Sequence, residues 1–263
     1  MLPRRRAARI AGTMFLLVAV LHLLAQLLDA TGGATDATGG ATSGAAGGVV
    51  RVTQWLLMPL LAAAFAIETA PARPARRDRL AAYVLAALGF SWLGDAAPDL
   101  ASGDTAFLVK VGFFLIAQLL YIAAFRPYRA DSVLTRRPGW LLCYLAAIAA
   151  LVLACAPHAG PLLVPVLVYG GCLGTMAVLS TGVDLLTGIG GAVFLVSDGL
   201  IALQAFVPDL TLPAGGFWVM ASYLAAQTLI TLGVLRRRAI AAGKGPLSPA
   251  AGGRHRPRWR TAG

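Results

Sequence analysis

Long apolar segments alternate with short polar connections along almost the whole chain. Each segment has about 18–23 residues, and at about 1.5 Å per residue a helix of that length crosses a hydrocarbon core roughly 30 Å thick. This pattern predicts an all-α fold, an integral membrane bundle of eight transmembrane helices within residues 1–238. The segments are 10–28, 52–70, 80–97, 105–125, 139–156, 162–180, 185–207 and 214–235.

The polar connections predict how the bundle is oriented. Arginines precede the first segment and follow the second, fourth and eighth segments, whereas the alternate connections contain few basic residues. This asymmetry predicts that both termini lie in the cytoplasm and that the protein spans the inner (plasma) membrane. The net charge of +11 is therefore attributed to topology signals and to contacts with anionic membrane lipids. No nucleic-acid partner is expected, because no basic face with interleaved aromatic residues is present.

Two stretches are predicted to lack regular structure. Residues 31–48 are a Gly/Ala/Thr-rich segment and are predicted to be a flexible loop. Residues 239–263 are rich in Pro, Gly and Arg and are predicted to be a disordered basic cytoplasmic tail. The scattered cysteines and histidines have no metal-ligand spacing, so neither a metal nor another cofactor is predicted.

Two carboxylates lie inside apolar segments. Asp95 ends the motif Phe90-Ser91-Trp92-Leu93-Gly94-Asp95, and Asp198 lies well inside the seventh segment. A charge at bilayer depth costs roughly 2.5–3.5 kcal/mol on insertion scales, so two of them indicate a buried polar site. In the predicted topology Asp198 lies roughly 12–14 Å below the outer surface, and Asp95 lies somewhat above it.

Further polar side chains fall near the same layer as Asp198. Tyr169 and Tyr223 lie at a similar depth on the sixth and eighth segments. A spacing of four residues places Ser91 on one helix face with Asp95, and Gln227 on one face with Tyr223. The fourth segment carries a stripe at helical spacing, composed of Phe114, Gln118, Tyr121 and Phe125. These side chains predict a polar interior, although tyrosines and glutamines of membrane helices also serve packing and interhelical hydrogen bonding.

The order and spacing of these motifs over residues 53–235 resemble the lysoplasmalogenase family of YhhN-like multispanning membrane hydrolases. The resemblance rests on residues 57–61, 90–95, 120–121, 168–169, 194–198, and Tyr223 with Gln227. Two positions depart from the family pattern. Gln54 replaces the lysine of a usual Thr-Lys-Pro, and Gln118 stands where a histidine is common. The chain is therefore similar to a divergent member.

The resemblance implies a membrane enzyme that hydrolyses the vinyl ether of a lysoplasmalogen to a fatty aldehyde and a glycerophospho-alcohol. Protonation of the alkene carbon leaves an oxocarbenium ion that water captures. This chemistry needs one carboxylic acid and one carboxylate, the two roles that the carboxyl groups of glycosidases have. Asp95 and Asp198 are the predicted acid and base or stabiliser. The predicted substrate-binding residues are Gln54, Ser91, Gln118, Tyr121, Tyr169, Tyr223 and Gln227.

Other functions also fit a membrane bundle with polar residues at depth. A transporter for small solutes or lipids and a non-catalytic lipid-binding protein are the two alternatives. An intramembrane aspartyl protease fits less well, because Trp92-Leu93-Gly94-Asp95 lacks the first glycine of Gly-x-Gly-Asp. The expected partners are a lysolipid substrate and membrane lipids, and the sequence leaves the oligomeric state open.

Overall fold

The computed structural model describes residues 2–32, 41–70, 78–208 and 210–243, and within these ranges the chain forms helices and turns without strands. The all-α prediction is confirmed. The α-helices of the described ranges are α1 Leu2–Gly32, α2 Ala41–Thr69, α3 Arg79–Ala96, α4 Gly103–Phe125, α5 Val133–Arg136, α6 Leu141–Ala159, α7 Leu163–Ser180, α8 Leu185–Phe206 and α9 Gly215–Ala241.

Each of the eight predicted segments corresponds to one long helix, and α5 is a four-residue helix between α4 and α6. By length and composition alone, seven stretches of the described chain qualify as membrane spans, because Pro138–Ser180 forms one stretch of 43 residues. That stretch contains both α6 and α7. The chain reverses between them at Gly160, which adopts a positive φ of 48°. The Ile148 side chain of α6 occupies the space that a Cβ on Gly174 of α7 would need, so the two helices pack side by side.

Helix boundaries differ from the sequence prediction at several helix ends, and α1 already begins at Leu2, well before the predicted segment 10–28. Helix α1 continues to Gly32 and α2 begins at Ala41, so residues 41–48 of the predicted loop are helical, and residues 33–40 lie outside the described residues. Alanine has the highest helix propensity, and the alanines at 41, 45 and 46 favour helix at the start of α2. Helix α9 ends at Ala241, and residues 244–263 of the predicted tail lie outside the described residues.

One end of the bundle, here called the arginine-rich end, is fastened by charged side chains. Arg238 at the end of α9 pairs with Asp78, the N-cap of α3, and donates to the Thr69 carbonyl oxygen at the end of α2, 3.0 Å away. The Arg237 guanidinium lies 3.7 Å from Asp131 and 5.0 Å from the centre of the Tyr128 ring. These contacts bring together the end of α2, the start of α3, the connection after α4 and the end of α9.

At the other end, here called the opposite end, α3 and α8 finish and α4, α7 and α9 begin.

Close packing of α8 on α9 fixes how those helices face each other. A Cβ on Gly233 of α9 would lie 2.5 Å from the Thr187 backbone nitrogen of α8, so only glycine permits this approach. Nearer the opposite end, Phe114, Phe194 and Tyr223 form a cluster of edge-to-face rings from α4, α8 and α9. This cluster orients the helices that carry the polar side chains.

Candidate functional site

The first carboxylate, Asp95, lies in the last turn of α3 and is only 7% exposed. The Tyr223 hydroxyl of α9 donates a hydrogen bond to its Oδ2, at 2.9 Å. Gln54 of α2 places its amide nitrogen 3.5 Å from the Asp95 carbonyl oxygen. Burial without a basic partner in direct contact is unusual for a carboxylate, since buried charges are normally paired.

A second set of side-chain hydrogen bonds lies one helical turn further into the bundle. Ser91, one turn earlier on α3, accepts from the Gln227 amide nitrogen of α9 at 3.1 Å. The Tyr121 hydroxyl of α4 donates to the Gln227 amide oxygen at 2.6 Å. Ser91, Tyr121 and Gln227 are fully buried. These hydrogen bonds link α3, α4 and α9. As the four-residue spacing predicted, Ser91 lies on one face of α3 with Asp95, and Gln227 lies on one face of α9 with Tyr223.

The second carboxylate, Asp198, lies in α8 and is half-buried. Its Oδ2 accepts a hydrogen bond from the Tyr169 hydroxyl of α7. Gln118 of α4 lies beside that hydroxyl and is fully buried. Neither the amide nitrogen nor the amide oxygen of Gln118 has a hydrogen-bond partner among the described residues. A buried amide without partners costs free energy, so this position favours a bound water or ligand.

Phe114 lies between the two carboxylate positions. Its ring contacts the α-carbon side of Gly94, where a Cβ would come within 2.6 Å of a ring carbon, and Gly94 immediately precedes Asp95. The same ring packs edge-to-face on Tyr223, with centroids 5.8 Å apart. Asp95 and Asp198 are near enough for their charges to interact, yet each is hydrogen-bonded to a different tyrosine.

A cavity of about 50 Å³ lies between α4, α7 and α8 and includes Asp198 and Tyr169 in its lining. A volume of that size accommodates a few water molecules. Several wall residues are half-buried, so the cavity approaches the surface of the bundle. Apart from Lys110, the remaining lining side chains are apolar, namely Phe107, Val111, Phe114, Val166, Ile201, Ala202 and Phe206. Asp95 is not part of this lining.

Lys110 of α4 is a site residue that the sequence reasoning missed. It lines the same cavity as Asp198, and its charge interacts with both carboxylates. The signal was present, because Lys110 precedes Phe114 by four residues and therefore extends the α4 stripe by one turn. In the described ranges no three His, Cys, Asp or Glu side chains are grouped closely enough to bind a metal ion.

Known proteins are similar to this chain in sequence. The YhhN family profile matches residues 49–234, which contain all nine predicted site residues. The chain belongs to the YhhN family. The family assignment made from the motifs is therefore confirmed, and with its apolar helices this YhhN protein is a multi-pass membrane protein.

Curated relatives support the same assignment. The YhhN protein is 35% identical over 132 residues to Lysoplasmalogenase TMEM86B of Rattus norvegicus, a match that covers 50% of this chain and 53% of the rat protein. It is 31% identical over 187 residues to the Lysoplasmalogenase of Mycobacterium bovis, covering 68% of this chain and 70% of that protein. The chain thus aligns with about half of the rat protein's length. No solved structure matches the chain.

Proposed function

We propose that this YhhN protein is a membrane hydrolase that cleaves the vinyl-ether bond of lysoplasmalogen-type lysolipids. The relatives named lysoplasmalogenase support this substrate class. The observation that carries the proposal is the cavity that combines Asp198 and Tyr169 with largely apolar walls. Such a cavity suits a lipid whose reactive bond joins an apolar chain to a polar headgroup, since a few placed polar groups orient an apolar ligand.

The reaction requires one proton donor and one anion. A proton from a carboxylic acid adds to the alkene carbon remote from the ether oxygen, and the adjacent carbon and oxygen become an oxocarbenium ion. Water adds to that carbon and loses a proton, which gives a hemiacetal. The hemiacetal then splits into a fatty aldehyde and the free hydroxyl of the glycerophospho-alcohol. One water is consumed, and the proton lost by the attacking water replaces the one that was donated.

Asp198 is the proposed proton donor, because it lines the cavity whereas Asp95 does not. Tyr169 donates to Oδ2 of Asp198, so Oδ1 is the oxygen available to carry the proton toward the substrate. Asp95 is the proposed anion that stabilises the oxocarbenium ion. Asp95, Asp198 and Lys110 carry no net charge together when one carboxyl keeps its proton, which fits one acid and one anion in the site.

The remaining predicted residues are proposed to position these groups. Tyr223 fixes the Asp95 carboxylate, and Gln227 with Ser91 and Tyr121 fixes the helix faces around it. Gln118 is fully buried beside the Tyr169 hydroxyl, and its amide atoms have no partner among the described residues, so we assign it to hold the attacking water. Gln54 places its amide nitrogen near the Asp95 carbonyl oxygen, and we assign it to support the end of α3.

The cavity is small for a lipid, so binding requires side chains in its wall to move. Phe107 and Phe206 pack edge-to-face with centroids 5.4 Å apart at the side of the cavity toward the opposite end. Their separation would widen the cavity and let the lysolipid enter between α4 and α8. Rotamer changes of this kind are common when ligands bind.

The test is product analysis on purified protein with matched lysolipids that carry a vinyl-ether, an alkyl-ether or an acyl chain. We expect fatty aldehyde from the vinyl-ether lipid alone. Asp198→Asn should abolish it, and the control Asp184→Asn, at the arginine-rich end, should release aldehyde normally. Saturable uptake into proteoliposomes without product would instead indicate the transporter alternative, and lysolipid binding without turnover would indicate the lipid-binding alternative.

We further propose that the arginine-rich end faces the cytoplasm, following the preference of arginine for cytoplasmic connections. The candidate site then lies in the outer half of the inner membrane. A reporter enzyme that is active only outside the cytoplasm, fused after Gly243, should be inactive. Activity of that reporter would reverse the orientation.

A further inference from the structure

Lys110 is an unusual charge for its position in the fold. It lies seven residues into α4, about 10 Å along the helix axis from Gly103. Among the basic residues of α3, α4, α6, α7 and α8, it alone lies more than one turn from a helix end. The protein has only two lysines, Lys110 and Lys244, and all its other cationic side chains except histidine are arginines. A cation at such depth is expensive, which makes it a functional candidate.

The described protein gives Lys110 no direct anion. It takes part in none of the ion pairs between described residues, although five other pairs are present. Asp198 and Asp95 attract it over a longer range, but each of their hydrogen bonds from a side chain comes from a tyrosine. Lys110 therefore lines the cavity without an ion pair among the described residues, and an ammonium carries three donors for a ligand or water.

The chemistry of the proposed reaction limits what Lys110 can do there. A cation next to the oxocarbenium ion would raise its energy by like-charge repulsion, so Lys110 does not serve the reacting carbon. It serves the reaction best when its charge is paired with an anion of the substrate itself. The lysolipid carries one such anion, the phosphodiester of the headgroup, a short distance from the ether oxygen.

The position of Lys110 also suits a headgroup. Asp198 lies about 12 Å from the end of α8, so both residues are in one layer of the bundle. A lysine side chain buries its methylene stem along apolar surface and extends its ammonium toward water. Phe107 and Val111 on α4 supply that apolar surface, and Phe107 lies toward the opposite end of the bundle, where a headgroup would be.

We propose that Lys110 binds the phosphate of the lysolipid headgroup and makes the site prefer phosphate-bearing ether lipids over uncharged ether glycerols. This inference rests on the proposed function for the identity of the lipid. It assigns Lys110 to substrate recognition, whereas Asp198 and Asp95 carry the reaction.

The test measures binding of lipids that cannot be cleaved. An alkyl-ether lysophospholipid and the matching alkylglycerol differ only in the phosphate headgroup, and both lack the vinyl bond. We expect the wild-type protein, purified in detergent, to bind the lysophospholipid at least about tenfold more tightly, as charge-assisted hydrogen bonds allow. Lys110→Gln should remove most of this preference by weakening the lysophospholipid alone, and Lys110→Arg should retain it.

Arg51→Gln is the matched control, because Arg51 is an exposed cation of α2 that pairs with Asp99 outside the cavity. It should leave both affinities unchanged. Equal weakening of both lipids by Lys110→Gln would overturn the proposal, since Lys110 would then act on the carboxylates or on folding. Equal affinity of the wild-type protein for the two lipids would also overturn it, without any variant. Failure of the proposed hydrolysis would be a separate result. In that case the protein would still prefer the phosphate-bearing alkyl-ether lipid in binding but would release no aldehyde from a vinyl-ether lipid.

Discussion

The arginine-rich end and the candidate site, which lies toward the opposite end, differ in how their charged side chains are paired. At the arginine-rich end, Arg238 pairs with Asp78, Arg237 with Asp131 and Arg236 with Asp184, and Asp78 and Asp184 also cap α3 and α8. In the candidate site, the carboxylates of Asp95 and Asp198 accept side-chain hydrogen bonds only from tyrosines among the described residues, and Lys110 has no ion pair with any of them. Gln118 has no hydrogen-bond partner there either.

This difference separates groups that hold the helices together from incompletely paired groups, which we propose bind a ligand. Exposed ion pairs and helix caps contribute modest stability, and they pair the charges and hydrogen-bonding groups that take part in them. Groups buried at depth without full pairing cost stability, and such sites are typically functional. Variants at the arginine-rich end should therefore change stability, and variants around the cavity should change catalysis or binding.

The largest expected effect is that of Asp198→Asn on catalysis. The amide still accepts the Tyr169 hydrogen bond but cannot donate a proton to the alkene carbon, so the rate of aldehyde release should fall about 10²–10⁴-fold. Thermal stability should stay near that of the wild-type protein. The measurement is the initial rate of aldehyde formation in detergent. A variant with near-normal rates would remove Asp198 from the chemistry.

Gly94→Ala should combine a stability loss with a catalytic loss. The new methyl group would lie 2.6 Å from a Phe114 ring carbon, so the ring must move, and such overpacking costs about 1–3 kcal/mol. Because Phe114 contacts both Tyr223 and the cavity wall, activity should fall as well. Gly89→Ala on the same helix is the control, since its Cβ meets no atom within 4 Å. Equal thermal stability of the two variants would show that the Phe114 contact is not tight.

Tyr169→Phe should lower activity about tenfold, in line with one lost hydrogen bond to a charged or acidic group. The ring stays in place, so the cavity wall keeps its shape while the Asp198 carboxyl loses its fixed orientation. Tyr83→Phe, at an exposed tyrosine near the arginine-rich end, serves as the control and should leave the rate unchanged. A Tyr169→Phe enzyme as active as the Tyr83→Phe enzyme would exclude the positioning role.

The smallest expected effect is at the arginine-rich end. Arg238→Gln removes the pair with Asp78 and the bond to Thr69, and its partly exposed setting limits the cost to about 1 kcal/mol. The melting temperature should fall slightly while the aldehyde rate stays unchanged, with the exposed Arg5→Gln as the matched variant. A large loss of activity in Arg238→Gln at unchanged stability would erase the distinction between the arginine-rich end and the candidate site.

The sequence predicted the features that depend on the periodicity of apolar residues and on the free-energy cost of a charge in the bilayer. Apolar segments of membrane length predicted the eight long helices, and the free-energy cost of a charge at bilayer depth is the reason for predicting Asp95 and Asp198 as site residues. It could not pair Asp95 with Tyr223 and Asp198 with Tyr169, because those partners depend on how α3, α7, α8 and α9 rotate about their axes. Lys110 was missed because one lysine scarcely lowers the hydropathy of a strongly apolar segment.

The start of α2 at Ala41 shows another limit of composition. A Gly/Ala/Thr-rich stretch is close to neutral between helix and loop, since glycine and alanine have opposite helix propensities. Composition alone therefore does not predict whether such a stretch is helical.

The most direct test of the two-carboxylate mechanism is hydrolysis of a lysoplasmalogen in D₂O, with the aldehyde reduced as it forms and analysed by mass spectrometry. Protonation of the alkene carbon by an exchangeable acid should place one deuterium on the carbon next to the aldehyde carbon, and Asp198→Asn should abolish this product. Aldehyde that lacks the deuterium, or deuterated aldehyde released at the wild-type rate by Asp198→Asn, would contradict proton donation from Asp198.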